Sequence, residues 1–506
     1  MPENSRKEDV MGVLSDLEPK SVFHWFEEIT RIPHGSGNVQ QISDYLVQFA
    51  EERGLYCIQD ERKNVIIIKE ATPGYEDQPP LILQGHMDMV AVKKPDCDID
   101  MKTQGLRVAV RGDEVYAEGT SLGGDDGIAV AYAMALLDSD TIKHPRLEVV
   151  ITVDEEVGMD GARGIDLSML TGSRMLNLDS EEEGIFLTSC AGGARVNCAL
   201  SLAVEERTGT VVELVVGGLL GGHSGAEIHK ERGNSNCLMG RVLMRLMEKI
   251  LANLCQMVGG LADNAIPRET KAVLLIEEKD MGTLRETVKT VEEEIKAELA
   301  TKDPGVWIQI GETKQGSFSC VPQEDLKRAV NFLCALPNGV QAMSADMPGL
   351  VETSLNLGIM QFDVVDGDEQ PGTRAGATGT FKAEFSVRSS VESAKQALVE
   401  KLQAVTALAG GSIAVSGDYP GWKYRKDSPL REKMVALYEK MYGKKPEVMA
   451  IHAGLECGIL GSKIKNLDCV SIGPQMRDIH TTEETLSISS TKRVWEYLVR
   501  LLEEKE

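Results

Sequence analysis

The sequence predicts an α/β fold in which a layered α/β domain is interrupted by an α+β insertion. Three observations lead to this prediction. The chain has 506 residues, which is too long for one ordinary hydrophobic core. Helical and strand-like patterns alternate towards both ends of the chain, as in domains built on a mostly parallel sheet. The middle combines long strands with helices, which is typical of an antiparallel sheet covered by helices.

Residues 1–203 carry the alternating pattern and form the first part of the predicted catalytic domain. Apolar residues at helical spacing indicate amphipathic helices, and short apolar runs indicate buried strands. The first two helices stop before Pro33 and at Gly54, and a hairpin turns at Gly112. In order, the predicted elements are helices 21–32 and 38–54, strands 64–70 and 79–84, hairpin 106–119, helix 126–139, and strands 146–153 and 174–179.

The pattern changes in residues 204–390, which we interpret as the inserted domain. Its last two predicted strands look like an antiparallel pair, and helices that lie on one antiparallel sheet form an α+β domain. The segment 366–379, rich in Gly, Asp and Pro, is predicted to be a loop between two antiparallel strands. In order, the predicted elements are strand 210–216, helix 234–254, strand 271–278, helix 281–300, strand 306–312, helix 324–336, and strands 355–365 and 378–390.

Residues 391–506 return to the first pattern and are predicted to complete the catalytic domain. Amphipathic helices again alternate with short apolar strands. The predicted elements are helix 391–411, strand 412–417, helix 429–443, strand 468–474 and helix 491–505.

The composition excludes some classes of partner. The formal net charge is −25, whereas nucleic acids and anionic membrane surfaces are bound through Lys and Arg. No apolar run approaches the roughly 18 residues of a membrane span, and the polar N-terminal residues lack a signal-peptide core. The ten cysteines form no Cys-x-x-Cys pair, which favours reduced thiols and a cytoplasmic location.

Histidines and acidic residues recur where the predicted strands end. The strand 79–84 is followed by His86 and Asp88, two residues apart. Because ligands of open α/β sheets collect at the carboxyl ends of strands, this recurrence predicts a metal centre. The other candidates are Asp125, Asp126, Asp154, Glu155, Glu156, Asp179, His452 and His480.

These residue types suit Zn, Mn or Co, which bind imidazole and carboxylate. Two ions about 3.5–4 Å apart need a bridging carboxylate and further ligands for each ion. On an extended chain the side chains of His86 and Asp88 point the same way, so we expect Asp88 to accept the ring N–H. Of the adjacent Glu155 and Glu156, one can bind metal while the other acts as general base towards water.

Each piece alone also fits a structural role. A lone histidine at a strand end is usually a hydrogen-bonded structural residue, and an acidic pair after a strand is usually a solvated turn. An arginine on a strand, such as Arg388, is usually a surface residue. The recurrence of these pieces at several strand ends of one predicted domain favours the metal centre.

Sequence motifs in most of the chain resemble one family of metalloenzymes. They are GHMDMV, GTSLGGDDGIAV, VDEEVGMDGA, NLDSEEEG, GGHSGAEIH, NAIPRE, VRSS, IHAGLECG and IHTTEE. The set resembles the dinuclear zinc exopeptidases and amidohydrolases, which include aminoacylase and carnosinase. It is most similar to the bacterial aminoacyl-histidine dipeptidase branch. The resemblance implies a mixed-sheet zinc-exopeptidase catalytic domain sandwiched by helices, with the insertion as a lid and dimerisation domain.

The resemblance also implies a role for each matching residue. Two divalent ions, Zn or alternatively Mn or Co, would be bridged by Asp125. Glu155 would be the general base, with Asp88 as the residue that orients a ligand. The ions would be held by His86, Asp125, Glu156, Asp179 and His480. The substrate would be bound by His223, Asn264, Arg388 and Gly454. Asp126 is a departure, because the family often has asparagine there.

The implied function is a metal-dependent dipeptidase. Its substrates would be small dipeptides with a free C-terminal carboxylate, Xaa-His dipeptides such as β-alanyl-histidine among them. Two alternatives stay open, an N-acyl-amino-acid deacylase with the same metal site and a non-catalytic metal-binding relative. No ligand or base candidate is missing from the sequence, which favours an enzyme. The family further implies a homodimer formed through the inserted domain.

Overall fold

The computed structural model describes residues 12–364 and 378–505. Within these residues, helices and strands alternate along most of the chain. The helices are α1 Lys20–Thr30, α2 Gln40–Glu52, α3 Gly124–Asp138, α4 Asp160–Gly164, α5 Ser235–Met247, α6 Met281–Glu298, α7 Gln323–Ala335, α8 Glu392–Leu408, α9 Pro429–Tyr442, α10 Glu456–Lys463 and α11 Ile488–Glu503.

The strands vary from two-residue pairings to extended strands of the central part of the chain. Up to residue 190 they are β1 Tyr56–Gln59, β2 Val65–Lys69, β3 Leu81–His86, β4 Val108–Arg111, β5 Glu114–Ala117, β6 Leu147–Thr152, β7 Arg174–Asn177 and β8 Ile185–Cys190. The following strands are β9 Gly192–Ala203, β10 Glu205–Gly217, β11 Gly222–His223, β12 Ala252–Gly259, β13 Ala265–Ile266, β14 Thr270–Ile276, β15 Trp307–Cys320, β16 Gly339–Met343, β17 Val351–Val364, β18 Thr378–Ser389, β19 Ser412–Tyr419, β20 Glu447–Ile451, β21 Asp468–Ser471, β22 Met476–Arg477 and β23 Thr485–Ser487.

The chain divides into two compact units. Of the described residues, those within Met1–Ser189, Tyr424–Ala450 and Leu455–Glu506 form the first unit, and those within Cys190–Lys423 and Ile451–Gly454 form the second. The predicted boundaries lay at 203/204 and 390/391 instead. The second unit is wider than the predicted insertion because β9 and β19, which flank it in sequence, both belong to its sheet.

The first unit is built on a mixed sheet with the strand order β1-β2-β6-β3-β7-β21-β8-β20. The central strands β6, β3, β7 and β21 are parallel, and β1, β2 and β8 pair antiparallel at the sides. All residues of β3 and β6 are buried, as expected for strands covered on both faces. The mixed α/β class predicted from the sequence is therefore confirmed.

Helices supply the rest of the first unit's core. Residues of α1, α2, α3, α9 and α11 join β2, β3 and β6 in one apolar cluster. Nearly the whole of α3 is buried, in keeping with its run of Ala, Val, Met and Leu. The N-terminus of α9 is capped by Ser428, whose side chain accepts the N–H of Arg431, and α11 is capped in the same way by Ser487.

The second unit has a largely antiparallel sheet with the order β15-β10-β14-β12-β17-β18-β9-β19, and β16 pairs with β17. Helices α5, α6, α7 and α8 contribute to its apolar core. The predicted helix 234–254 ends at Met247, because Ala252–Leu254 begin β12 and pair with β14. Residues 366–377 of the predicted loop lie outside the described residues, and 378–379 begin β18.

Within residues 12–364 and 378–505, no helix combines the length and apolar character needed to cross a membrane.

Candidate metal centre

The centre lies at the carboxyl ends of three neighbouring parallel strands of the first unit. His86 is the last residue of β3 and lies opposite Thr152, the last residue of β6. The segment after β6 carries Glu155 and Glu156, and Asp179 follows β7 by two residues. Parallel neighbours end at the same edge of a sheet, so short turns suffice to bring these side chains together.

The structure gathers the predicted metal ligands into two groups that share Asp125. The first group is His86, Asp125 and Asp179, and the second is Asp125, Glu156 and His480, with ligand atoms within 4.8 Å of one another in each group. Asp125 Oδ1 lies 3.2 Å from Nε2 of His86, and its Oδ2 lies 3.0 Å from Nε2 of His480. One carboxylate thus presents a separate oxygen to each group, as a bridging ligand must.

The remaining ligand atoms complete each group. Nε2 of His86 lies 3.7 Å from Oδ1 of Asp179, and Nε2 of His480 lies 2.8 Å from Oε1 of Glu156. Imidazole nitrogens and carboxylate oxygens at these separations match the donor set of divalent zinc, manganese or cobalt sites. The residues present therefore fit a pair of divalent cations.

The orientation of His86 comes from the backbone of Asp88. Nδ1 of His86 lies 2.9 Å from the carbonyl oxygen of Asp88 and 3.5 Å from its carboxylate. Because a carbonyl only accepts, Nδ1 donates its proton there, and Nε2 is left to face Asp125 and Asp179. This differs from the expectation that the Asp88 side chain would be the nearest acceptor.

The carboxylate of Asp88 holds the segment that carries the two glutamates. Its Oδ1 accepts the N–H of Glu155 at 3.1 Å, and its Oδ2 lies 3.4 Å from the N–H of Glu156. The hydroxyl of Ser36 donates to the same carboxylate at 2.8 Å. Asp88 is fully buried, so these three donors also compensate the burial of its charge.

Acidic groups crowd the centre and shift one another's titration. Burial, together with the charges of Glu456, Glu156 and Asp125, raises the pKa of Glu155 to about 8, although His86 opposes this. Burial and the charges of Asp126, Asp125 and Glu155 likewise raise the pKa of Asp179. Hydrogen bonds to Asp125 and Glu156 raise the pKa of His480 to about 10. The raised pKa values mean that these three groups favour their protonated forms, as expected where several carboxylates are buried close together.

Two further buried acids, Asp126 and Glu484, lie beside the two ligand groups. Asp126 was a candidate from its position in the sequence, whereas Glu484 had no predicted role. Asp126 accepts the backbone N–H of His86 at 3.2 Å, and burial followed by the charge of Asp125 raises its pKa. Glu484 accepts backbone N–H groups of the turn that carries Asp125. The motif containing His480 also contains Glu484, but no local pattern indicated a partner so distant in sequence.

The predicted substrate residues His223, Asn264, Arg388 and Gly454 all belong to the second unit. Nδ1 of His223 accepts the N–H groups of Gly225 and Ala226 at 3.2 and 3.0 Å. The ring proton of a neutral His223 is therefore on Nε2. Burial and the charge of Arg388 lower the pKa of His223, which favours this neutral form. Asn264 is exposed, and its carbonyl accepts the N–H of Ser224.

Arg388 and Gly454 lie in a cluster with further polar residues of the second unit. Arg388 is 8% exposed, and among the described residues its Nε has no hydrogen-bond partner. Its Nη1 lies 3.4 Å from the hydroxyl of Tyr419. The same tyrosine ring packs closely against Gly454, where a Cβ atom would lie only 2.8 Å from the hydroxyl oxygen. His452 shares a hydrogen bond of 2.7 Å with Ser354, the residue that pairs with Arg388 across the strands. A buried guanidinium with an unused donor is suited to an anion.

The profile of peptidase family M20/M25/M40 matches residues 82–504. The cytosol non-specific dipeptidase of Escherichia coli (strain K12) is 34% identical over 496 residues, which cover 98% of this chain and 99% of that protein. The structure of an aminoacylhistidine dipeptidase from Vibrio alginolyticus is similar with a TM-score of 0.88 and 36% identity, covering 97% of this chain and 98% of that one. The aminopeptidase PepT from Bacillus cereus shares the fold, with a TM-score of 0.53 and 15% identity over 96% of this chain and 98% of that one.

Proposed function

Because the chain belongs to peptidase family M20/M25/M40, we propose that it is a metal-dependent dipeptidase that uses two divalent cations. The observation that carries the proposal is the position of Asp125 between His86 and His480, with one carboxylate oxygen towards each histidine. We assign one ion to His86, Asp125 and Asp179, and the other to Asp125, Glu156 and His480. Zinc is the first choice of metal, with manganese and cobalt as alternatives.

Glu155 is the proposed general base. Bound cations would polarise the peptide carbonyl and acidify a water molecule. The Glu155 carboxylate accepts the proton of the attacking water and then donates it to the leaving amine. Its backbone is held by Asp88, and the ligand Glu156 is the next residue, so base and ligand are placed by the same segment.

Residues of the second unit supply the proposed contacts to substrate. The Nε2–H group of His223 donates a hydrogen bond to the oxygen of the attacked carbonyl, where negative charge develops. Arg388 binds the free C-terminal carboxylate, since its buried guanidinium has an unused donor among the described residues. Asn264 and Gly454 are proposed as further contacts on the strength of their motifs alone.

Two full-length relatives support a dipeptide substrate. One carries the name cytosol non-specific dipeptidase and the other aminoacylhistidine dipeptidase. On this basis we propose small dipeptides, Xaa-His dipeptides such as β-alanyl-histidine among them, in preference to N-acyl amino acids. We further propose a cytoplasmic location. We also propose a homodimer formed through the second unit, which sedimentation of the purified protein tests.

The test combines metal analysis with hydrolysis of a substrate panel. The purified protein should contain two divalent ions per chain and hydrolyse dipeptides, with activity lost to a chelator and restored by Zn, Mn or Co. N-acetyl amino acids should be poor substrates, and the reverse preference would establish the deacylase. Glu155→Gln should lower kcat by about 100-fold or more with both ions retained. The exposed Glu51→Gln serves as control, and wild-type activity in the Glu155 variant would refute the mechanism.

A further inference from the structure

The carboxylate of Glu484 is surrounded by backbone N–H groups of a single turn. Its Oε2 accepts from Leu122 at 2.8 Å and from Gly123 at 3.1 Å. Its Oε1 accepts from Gly124 at 2.8 Å and lies 3.4 Å from the N–H of Asp125. Glu484 is only 3% exposed. Each oxygen thus receives two donors, which is close to the full accepting capacity of a carboxylate.

The turn has the backbone geometry that this arrangement requires. Gly123 has a φ of +69°, in the left-handed region that favours glycine. A Cβ atom at Gly124 would lie 3.3 Å from Oε1 of Glu484, which is tight for a side chain in a packed site. Asp125 itself has an extended conformation with φ −83° and ψ 106°, so it projects from the turn rather than following the helix.

Glu484 is connected to both groups of candidate ligands. The N–H groups that it binds extend to Asp125, whose two oxygens face His86 and His480. Glu484 also lies four residues after His480 in the same segment. One buried carboxylate therefore links the turn of the shared ligand to the segment of a terminal ligand, although the two are about 360 residues apart along the chain.

We propose that Glu484 is a positioning residue. It orients the two oxygens of Asp125 towards the two ion positions, and it holds the segment that carries His480 next to the turn that carries Asp125. The proposal rests on the dinuclear centre of the proposed function. It assigns Glu484 no contact with metal or substrate. Residues that orient metal ligands typically contribute about 10- to 100-fold to metal affinity. A purely structural clamp would instead stabilise the fold equally with and without metal.

The informative substitution is Glu484→Gln. A glutamine keeps one accepting oxygen, but its NH₂ group would face two backbone N–H donors, so the turn must shift. Glu484→Asp keeps the charge on a shorter side chain that cannot reach all four N–H groups. The matched control is Glu483→Gln, since Glu483 is the adjacent residue, is exposed and forms an ion pair with Lys94.

Three measurements on the full chain test the proposal. Zn²⁺ affinity and stoichiometry are measured by competition with a chromophoric chelator. The absorption spectrum of the Co²⁺-substituted protein reports ligand geometry. The melting temperature is measured with and without metal. We expect Glu484→Gln to bind Zn²⁺ about 10- to 100-fold more weakly with an altered Co²⁺ spectrum, and Glu483→Gln to behave like the wild type.

The possible outcomes separate this inference from the proposed function. A wild-type chain that binds no metal refutes the dinuclear centre itself. If the wild type binds two ions and folded Glu484→Gln binds them equally well, only the role of Glu484 is refuted, whatever happens to the melting temperature. If Glu484→Gln does not fold, Glu484→Asp decides, because wild-type affinity and spectrum in that variant also refute the role.

Discussion

The carbonyl oxygen of Asp88 lies 2.9 Å from Nδ1 of His86, closer than the Asp88 carboxylate at 3.5 Å. The main-chain carbonyl and the side-chain carboxylate of Asp88 therefore have different roles. The carbonyl orients the histidine, while the carboxylate accepts N–H groups of the segment that carries Glu155 and Glu156. This separation determines what a substitution at Asp88 should do.

Asp88→Asn should lower kcat at saturating metal by about 10- to 100-fold while His86 stays correctly oriented. The amide cannot accept from all three donors, so the segment with Glu155 loses its anchor. Metal content after dialysis and kcat for a dipeptide are the measurements. Ser36→Ala removes one of the three donors and should shift kcat in the same direction by less. This account would be contradicted if the Asp88→Asn variant lost both ions on dialysis but showed the kcat of the wild type once metal was added back.

His223→Ala should lower kcat by about 100- to 1,000-fold with little change in KM, as found when one donor to a developing oxyanion is removed. The expectation follows from the tautomer, since Nδ1 of His223 accepts two backbone N–H groups and Nε2 carries the proton. Steady-state kinetics on a dipeptide check it. His229→Ala is the matched control, because His229 is exposed in the same segment. A rise in KM alone would place His223 outside the chemical step.

Arg388→Lys should reduce the preference for a free C-terminal carboxylate. A lysine cannot reproduce the two-pronged geometry of guanidinium, and hydrogen bonds to charged groups contribute about 10- to 100-fold to binding. The measured quantity is the ratio of kcat/KM for a dipeptide to that for its C-terminal amide, which should fall by about tenfold or more. Arg207→Lys is the control on an exposed strand position. An unchanged ratio would remove Arg388 from carboxylate recognition.

Glu456 should make the metal-free protein less stable as the pH rises. Its carboxylate is fully buried and accepts from Gln84 and Thr152, and burial raises its pKa from 4.5 to about 7. Below about pH 4.5 both the folded and the unfolded chain are protonated there. Between about 4.5 and 7 only the unfolded chain ionises, so stability falls, by on the order of 3 kcal/mol in full.

Glu456→Gln should remove this pH dependence. The variant should melt at a higher temperature than the wild type at pH 8, and the difference should shrink at pH 5. Thermal melts of both proteins with chelator present make the comparison, and the exposed Glu432→Gln should show no such trend. Equal differences at the two pH values would mean that Glu456 is ionised in the folded protein.

The sequence by itself determined the mixed α/β class and the residues that form the two candidate ligand groups. His86, Glu156 and Asp179 lie at or just after the ends of apolar strands. The periodicity of a strand and the polarity of the turn after it are local properties of the sequence. Asp125 and His480 were identified through motifs, and the structure brings them to the same edge of the sheet.

Only the tertiary structure decided the features that depend on distant pairing. The helix predicted at 234–254 ends early because its last residues gain a strand partner in β14, and the second unit begins at Cys190 because β9 pairs with β18 and β19. The contacts of Glu484 with four backbone N–H groups form only in the folded chain. The same holds for the contacts of the Asp88 carbonyl with His86 and of the Asp88 carboxylate with the N–H of Glu155. The partners of a hydrogen bond must be close in space but can be far apart in sequence. A local sequence pattern therefore cannot predict these contacts.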